Sequence, residues 1–412
     1  MSKTKFVWTR RGLLQASAAG GAAVATGVIG APAILRAQPA SVPIGVLHPV
    51  TGAISYSGQQ GRMGAEMAIA DINAAGGIQS LGGAPIEAVL GDAQSSPDVG
   101  VTEVERMAEE GVSAIVGGFA SSICLATTEA ASRYDLPYLV DVGVSDAIVT
   151  RGLANTFRFG PGFGTITSDA ISNLVTINEA AGNPARTVMI IHEDSLFGSG
   201  LAGLLNEQLP QHGFEVLETI AHPTPQRDFN NVALRIRANE PDLVIPANYY
   251  NEYVLLARTM QQQRLQPKGI YSVLGGAASS YRFLAEFPEA AQYIMDCNHW
   301  FDPRKQAALD LKARVEAEGA YFTYEVFLNY SCVQLLADAL ERAASTDRGA
   351  VIEALAGSSF DGHLMPYGPT AFVDGQNQGA APVNTQILGE EIEVIFPAEF
   401  ASAEAVFPIP SE

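Results

Sequence analysis

Short apolar runs alternate with longer stretches of helical spacing along most of the chain, and this alternation constrains the fold more than any other feature. Residues 43–47 form an apolar run that stops at His48-Pro49-Val50-Thr51-Gly52, and over residues 61–74 Met63, Met67, Ala70 and Ile72 recur near helical spacing. After Gly76-Gly77 the pattern predicts a strand at 86–91, a polar-faced helix at 98–110 and a strand at 113–117, which is a βαβαβ series. A helix at 127–134, a strand at 137–140 and a loop at 141–147 complete it. Beyond Phe157-Arg158-Phe159 the rhythm returns: helices at 167–181, 200–208, 229–238 and 253–263 interleave with strands at 187–191, 214–220, 242–246 and 270–273. Strands so short and so continuously apolar suit parallel sheets covered on both faces. The expected fold class is therefore α/β, with two parallel-sheet units side by side, and open sheets of this kind bind ligands at the carboxyl ends of their strands.

The chain opens with Thr9-Arg10-Arg11-Gly12-Leu13-Leu14, an alanine-rich and glycine-rich apolar run to Leu35, and then Arg36-Ala37-Gln38-Pro39. A paired arginine before a weakly hydrophobic segment, with small residues around 31–37, reads as a twin-arginine signal peptide, residues 1–37, cleaved on export to the periplasm. A membrane anchor is the competing reading, but Gly20, Gly21, Gly27 and Gly30 dilute the segment and no cysteine follows it to carry a lipid. Cleavage leaves 375 residues, which suits two domains better than one core. It also removes Lys3, Lys5, Arg10, Arg11 and Arg36, taking the formal charge from −20 to −25. So acidic a chain, with no Lys/Arg run after residue 37, argues against nucleic acid or an anionic membrane surface as partner. No later segment reaches the roughly 18 uninterrupted apolar residues of a membrane span, so no direct membrane insertion is expected after cleavage. Cys124, Cys297 and Cys332 are too few for a disulfide scaffold, although an oxidising compartment would permit a Cys297–Cys332 bridge. The cysteines and the six histidines never fall at metal-ligand spacing, so no metal and no other cofactor is expected.

Val46-Leu-His-Pro-Val-Thr-Gly52, Tyr56-Ser57-Gly58 and the segment from Gly64 to Gly77 resemble the amino-terminal signature of the type I solute-binding proteins of ABC transporters, in the branched-chain amino acid branch. Ile115-Val-Gly-Gly118 with Ser121-Ser122, and Pro137-Tyr-Leu-Val140, are similar to that family's third and fourth strands. Asp194 to Gly200, Ala247-Asn-Tyr-Tyr250, and Gly368-Pro369 through Gly375-Gln376 also fit, so the similarity covers residues 42–412. The resemblance implies the type I periplasmic binding protein fold: two Rossmann-like lobes, 41–159 with 302–367 and 160–301 with 368–412, joined by a three-strand hinge near Arg158, Trp300 and Gly368. It further implies a small-molecule carboxylate bound between the lobes, closure by hinge bending, and delivery to an ABC permease in the inner membrane.

Ser121 and Ser122 follow Gly117-Gly118 and precede a helix, so hydroxyls and free backbone N–H groups meet at a helix N-terminus, either as an anion site or as an ordinary cap. The resemblance implies the first, with Gly143 and Ser145 completing a carboxylate cradle, against capping by Ser145 or Asp146. It also implies that Tyr56, in the loop after the first strand, contacts the ligand from the first lobe. Tyr250 and its neighbour Tyr249 follow a strand's carboxyl end, where aromatic rings cover an apolar ligand group or, for one of the two, fill the core. Phe197 stands where the family often has tyrosine, which removes a hydroxyl contact. Gly275 stands after Val273, where amino-acid binders of this family carry an acid for the ligand ammonium. Burying an ammonium without such a partner costs roughly several kcal/mol, so an aromatic or keto acid lacking an amine stands beside an amino acid as the expected ligand. Asp141, Asp146, Glu193, Asp194 or Glu252 would have to reach the amine instead. Trp300 either faces the cleft or packs the hinge.

Gly198-Ser-Gly200-Leu-Ala-Gly203 with Glu218 matches a dinucleotide fingerprint, but six residues separate its first glycine from the preceding strand, and a pyrophosphate loop needs an immediate turn. No GxSxG nucleophile elbow is present. The adjacent pairs Glu109-Glu110 and Glu390-Glu391 diverge on any regular element and read as solvated charges. The chain is thus expected to be no enzyme. The alternative function on the same fold is ligand sensing that signals to a partner protein.

Overall fold

A computed structural model describes residues 40–410, and every run read above as a strand pairs within one of two seven-stranded sheets. The signal-peptide reading of 1–37 lies outside the described residues. The chain first lays down β1 (Val42–His48), β2 (Ile86–Asp92), β3 (Ile115–Gly117), β4 (Tyr138–Val140) and β5 (Thr156–Arg158), all parallel, in the order β2-β1-β3-β4-β5. It then crosses to a second sheet, where β6 (Thr187–Glu193), β7 (Glu215–His222), β8 (Leu243–Ala247), β9 (Gly269–Val273) and β10 (Met295–Asn298) repeat that order as β7-β6-β8-β9-β10. It returns to the first sheet with the hairpin β11 (Phe372–Val373) and β12 (Gln376–Asn377), and ends on the second with antiparallel β13 (Val383–Leu388) and β14 (Glu391–Phe396).

The third crossing therefore lies between Asn377 and Val383 and not near Gly368. The cause is a set of bonds far apart in sequence: Gln376 pairs with Arg158 in the sheet, the Arg158 Nε donates to Gln376 Oε1 at 2.6 Å, and the Asn377 side chain donates to the Phe159 carbonyl. The hairpin turn is Asp374-Gly375, with φ of 49° and 76°, the two left-handed residues that a tight hairpin needs.

Helices cover both faces of each sheet. They are α1 (Ser55–Ala74), α2 (Pro97–Glu109), α3 (Ser121–Ser132), α4 (Phe163–Ala180), α5 (Leu196–Gln208), α6 (Asn230–Asn239), α7 (Tyr250–Gln262), α8 (Tyr281–Glu286), α9 (Pro288–Ala291), α10 (Gln306–Ala317), α11 (Tyr324–Ala343) and α12 (Arg348–Ala356). α11 buries Phe327, Val333, Leu336 and Leu340 fully, each worth about 1.5–3 kcal/mol of apolar burial. It lies so close to α1 that a Cβ on Gly64 would sit 2.1 Å from the Val326 carbonyl oxygen. All three cysteines are buried and free, and the bridge considered between Cys297 and Cys332 is absent: the first is in β10 of the second sheet, the second in α11 against the first. No helix among the described residues is long and apolar enough to cross a membrane.

Candidate functional site

The carboxyl ends of the two sheets face one another across a pocket of about 370 Å³ of atom-free space, part of it open to solvent. From the first lobe, the loop after β3 contributes Phe119, Ala120 and Ser121, and the loop after β4 contributes Val142 and Val144. From the second come Phe197 at the start of α5, Asn248 and Tyr249 after β8, and Leu274 and Gly276 after β9. Asn298 and His299 at the end of β10, with Tyr324 at the start of α11, close the hinge side. Phe119, Tyr249 and Phe197 form a continuous run of rings across the cleft, with centroids 5.9 and 5.3 Å apart.

The two lobes present their apolar walls by the same device. Phe119 and Leu274 each follow a central strand with φ of 55°, a left-handed backbone that costs a bulky residue roughly 1–2 kcal/mol. In the first lobe the Phe119 N–H donates to Asp141 Oδ1 at 2.9 Å; in the second, the N–H of Gly275, next after Leu274, donates to Asp296 Oδ1 at 3.0 Å. Both aspartates are fully buried. Burial alone would raise Asp141, but hydrogen bonds from His48, Asn329 and the Phe119 amide outweigh it and hold the carboxyl below its ordinary range. Burial pushes Asp296 up to about 6 against its bonds from Ser279, Asn298 and Gly275.

At the opening of α3, at the pocket wall, the N-cap is Ala120, whose side chain offers the first-turn N–H groups no capping acceptor. The Ser121 hydroxyl accepts the N–H groups of Val144 and Ser145 at 3.3 and 3.2 Å, tying the two first-lobe loops together and leaving its own proton to donate. Behind that loop lies Arg158, 2% exposed, whose Nη1 donates to the Val144 and Ser145 carbonyls and whose Nη2 reaches Asp146. Two further polar groups in the wall lack a close hydrogen bond: the amide of the fully buried Asn248, which the His222 side chain approaches, and Nε2 of His299. Burial lowers His299 to about 4, so its ring is neutral at pH 7.

Of the residues singled out in the sequence, Ser121 and Phe197 line the pocket directly. Gly143 and Ser145 belong to the loop that Ser121 braces; a Cβ on Gly143 would meet the Cys124 sulfur at 2.6 Å. Ser122 is half-buried, in the first turn of α3, and its neighbours Ser121 and Ala120 take the wall position. Tyr56 is not in a loop but in the first turn of α1, and it meets Tyr250 at 4.5 Å between ring centroids, away from the pocket wall. Tyr249, not Tyr250, faces the pocket. Gly275 is buried beneath Leu274 and Gly276 and lends only its backbone, as above. Trp300 packs against Phe301, Phe327 and Tyr281 in the hinge. Gly198, Gly200 and Gly203 lie within α5 and not in a strand-to-helix turn, and Glu218 pairs with Arg235, so no pyrophosphate loop exists there. Asn248, His299 and Tyr324 were not singled out; Asn248 sits inside the motif Ala247-Asn-Tyr-Tyr250, where the aromatic pair was the louder signal.

The family model for periplasmic binding proteins matches residues 41–386. The Leu/Ile/Val-binding protein homolog 7 of Brucella melitensis biotype 1 is 24% identical over an alignment of 387 residues that covers 90% of this chain and 96% of that one. The branched-chain amino acid transporter substrate binding protein LivJ from Streptococcus pneumoniae, solved with isoleucine, matches at a TM-score of 0.73 and 21% identity over 89% of this chain and all of its own. A fatty acid ABC transporter substrate-binding protein from Thermomonospora curvata matches at 0.74 and 16% identity, over 89% and 95% of the two chains. At these identities the solved structures share the fold, two lobes each built on a mainly parallel sheet. The family match spans most of the length, and the chain therefore belongs to the periplasmic binding proteins, which hold solutes and are not enzymes.

Proposed function

We propose that the chain is the solute-capturing component of an ABC importer, exported to the periplasm through a twin-arginine leader at 1–37, that takes a small carboxylate-bearing solute between its lobes and delivers it to the inner-membrane permease. The observation that carries this reading is the uncapped N-terminus of α3 with the Ser121 hydroxyl beside it, set opposite an apolar wall at the carboxyl ends of both sheets. In this reading the free N–H groups of Ser121 and Ser122 and the Ser121 hydroxyl hold the carboxylate. Gly143 and Ser145 shape the loop that braces Ser121, Phe197 covers the apolar body with Tyr249, and Gly275 anchors the turn that presents Leu274. Tyr56 and Tyr250 meet as the lobes close. The names of relatives support it: an amino acid transport function in the Streptococcus pneumoniae protein, a fatty acid in the Thermomonospora curvata protein, and both ligand classes bear carboxylates.

The test is thermal unfolding against a panel of amino acids, aromatic acids, keto acids and neutral solutes. A carboxylate at about 100 times its Kd is expected to stabilise the protein by about 2.7 kcal/mol. A panel in which only solutes without a carboxyl group raise the melting temperature sinks the cradle assignment. Deleting the gene should abolish uptake of the same solute.

A further inference from the structure

We infer that the solute carries a carboxylate but no ammonium group, and that a neutral oxygen function of it pairs with the side-chain amide of Asn248. The inference rests on the carboxylate reading above and narrows its substrate class. It follows from what each acid around the pocket is already bound to. Glu193 accepts from the Ser195 amide at 2.8 Å, from the Ser195 hydroxyl at 2.7 Å and from the Gly198 amide, holding the start of α5. Asp141 is taken by Phe119, His48 and Asn329, and Asp296 by Gly275, Ser279 and Asn298. Asp146 accepts from Arg158 and from the Gly164 amide, and Asp194 is exposed. Glu252 and Glu325 keep capacity, but neither lines the pocket, and burial drives both carboxyls toward the neutral form.

The place after β9 where an acid would meet an ammonium is also closed by packing. A Cβ on Gly275 would lie 2.8 Å from Ser272 Cβ and 2.9 Å from Ala278 Cβ, and one on Gly276 would lie 2.7 Å from the Tyr250 nitrogen and 2.8 Å from the Asn248 oxygen, both backbone. The side chain that does reach the pocket from this turn is Leu274. An ammonium would thus be desolvated against Leu274, Phe197 and a neutral imidazole, with no anion to receive it. Asn248, by contrast, carries a carbonyl oxygen and an NH2 group that are buried without a close hydrogen bond, and the His222 side chain at the end of β7 approaches the amide from the protein side. A buried amide left unspent in this way is satisfied by a ligand hydroxyl or carbonyl.

The experiment is calorimetric titration of the full-length protein with matched pairs that differ at the amine: leucine against 4-methyl-2-oxopentanoate, and tyrosine against 3-(4-hydroxyphenyl)propanoate. The amine-free member of at least one pair is expected to bind on the order of 100-fold tighter than its amino acid, the scale of discrimination set by an unpaired buried polar group. Asn248→Leu should then weaken that ligand by about 10-fold or more while leaving the unfolding transition cooperative. Leucine or tyrosine binding as tightly as its partner overturns this inference and leaves the carboxylate reading standing. Absence of binding by all four overturns both, and a binder whose affinity Asn248→Leu leaves unchanged overturns the assignment of the amide.

Discussion

A single hydroxyl ties together the two loops that form the first-lobe wall of the pocket. Ser121 is 1% exposed and accepts two backbone N–H groups from the neighbouring loop, so its removal leaves two buried donors unpaired. Ser121→Ala is expected to cost about 1–3 kcal/mol in a urea unfolding titration and to weaken a carboxylate ligand, whereas half-buried Ser122→Ala should stay within about 0.5 kcal/mol. Equal effects of the two would return Ser121 to an ordinary helix start. The serine pair was legible in the sequence because glycines before it and a helix after it mark a strand-to-helix turn; which serine faces inward was not, since that depends on the bonds from residues 144 and 145. Asn248 and His299 were illegible for a related reason. A lone amide or imidazole has no periodicity, and its significance lies in partners that it lacks.

Helix boundaries show the same limit one level up. Periodicity placed the first helix of the chain at 61–74 and the later ones at 127–134, 167–181 and 253–263, yet α1, α3, α4 and α7 begin at Ser55, Ser121, Phe163 and Tyr250. The missed start of α1, Ser55 to Gln60, is small and polar apart from Tyr56 and lacks the apolar stripe that a core-facing turn would show, while that of α3 carries Ser121-Ser122 ahead of the buried Ile123 and Cys124. One consequence is mechanical. Tyr56 in the first turn of α1 meets Tyr250 in the first turn of α7, and the Arg282 guanidinium from α8 lies 4.5 Å from the Tyr56 ring centroid and 5.3 Å from that of Tyr250. The Arg282–Tyr56 contact joins the lobes, so on the proposed reading, in which the solute is taken between them, it counts toward ligand affinity. A contact of this kind is worth about 0.5–1 kcal/mol, so Arg282→Ala should raise the Kd by roughly 2–5-fold. Arg258→Ala is the control: its guanidinium stacks on Phe287 within the second lobe, and loss of that contact should lower stability without changing affinity. If both variants bind alike, the arginine is no latch.

For the molecule as a whole, the two parallel-sheet units were legible because local runs of apolar residues dictate the strands, whereas the order of strands within each sheet comes from the structure. The third crossing was misplaced because Gln376 and Asn377 are held by Arg158 and Phe159, partners 218 residues away that no local pattern reveals. The same region of the first lobe contains a group whose protonation bears on global stability. His363 is 1% exposed; its Nε2 donates to the Gly368 carbonyl and its Nδ1 accepts from the Met365 amide, so both ring nitrogens are committed to the neutral tautomer. Burial lowers it from 6.5 to about 4, against the partial compensation of the Gly368 bond. In the unfolded chain the ring gains its proton near pH 6.5, while the folded protein resists until about pH 4, so the stabilisation is complete above 6.5 and is lost as pH falls through that window. A shift of this size amounts to roughly 3 kcal/mol at full separation. His363→Gln keeps a donor for Gly368 and removes the titration, so the stability of the parent relative to the variant should fall by about 2–3 kcal/mol between pH 7 and pH 4. Other buried groups titrate in the same range, Asp296 with the opposite sign, but they are common to both proteins and cancel in the difference. A pH-independent difference between the two urea midpoints would mean that the ring is already charged in the fold, and its neutral tautomer would have to be abandoned.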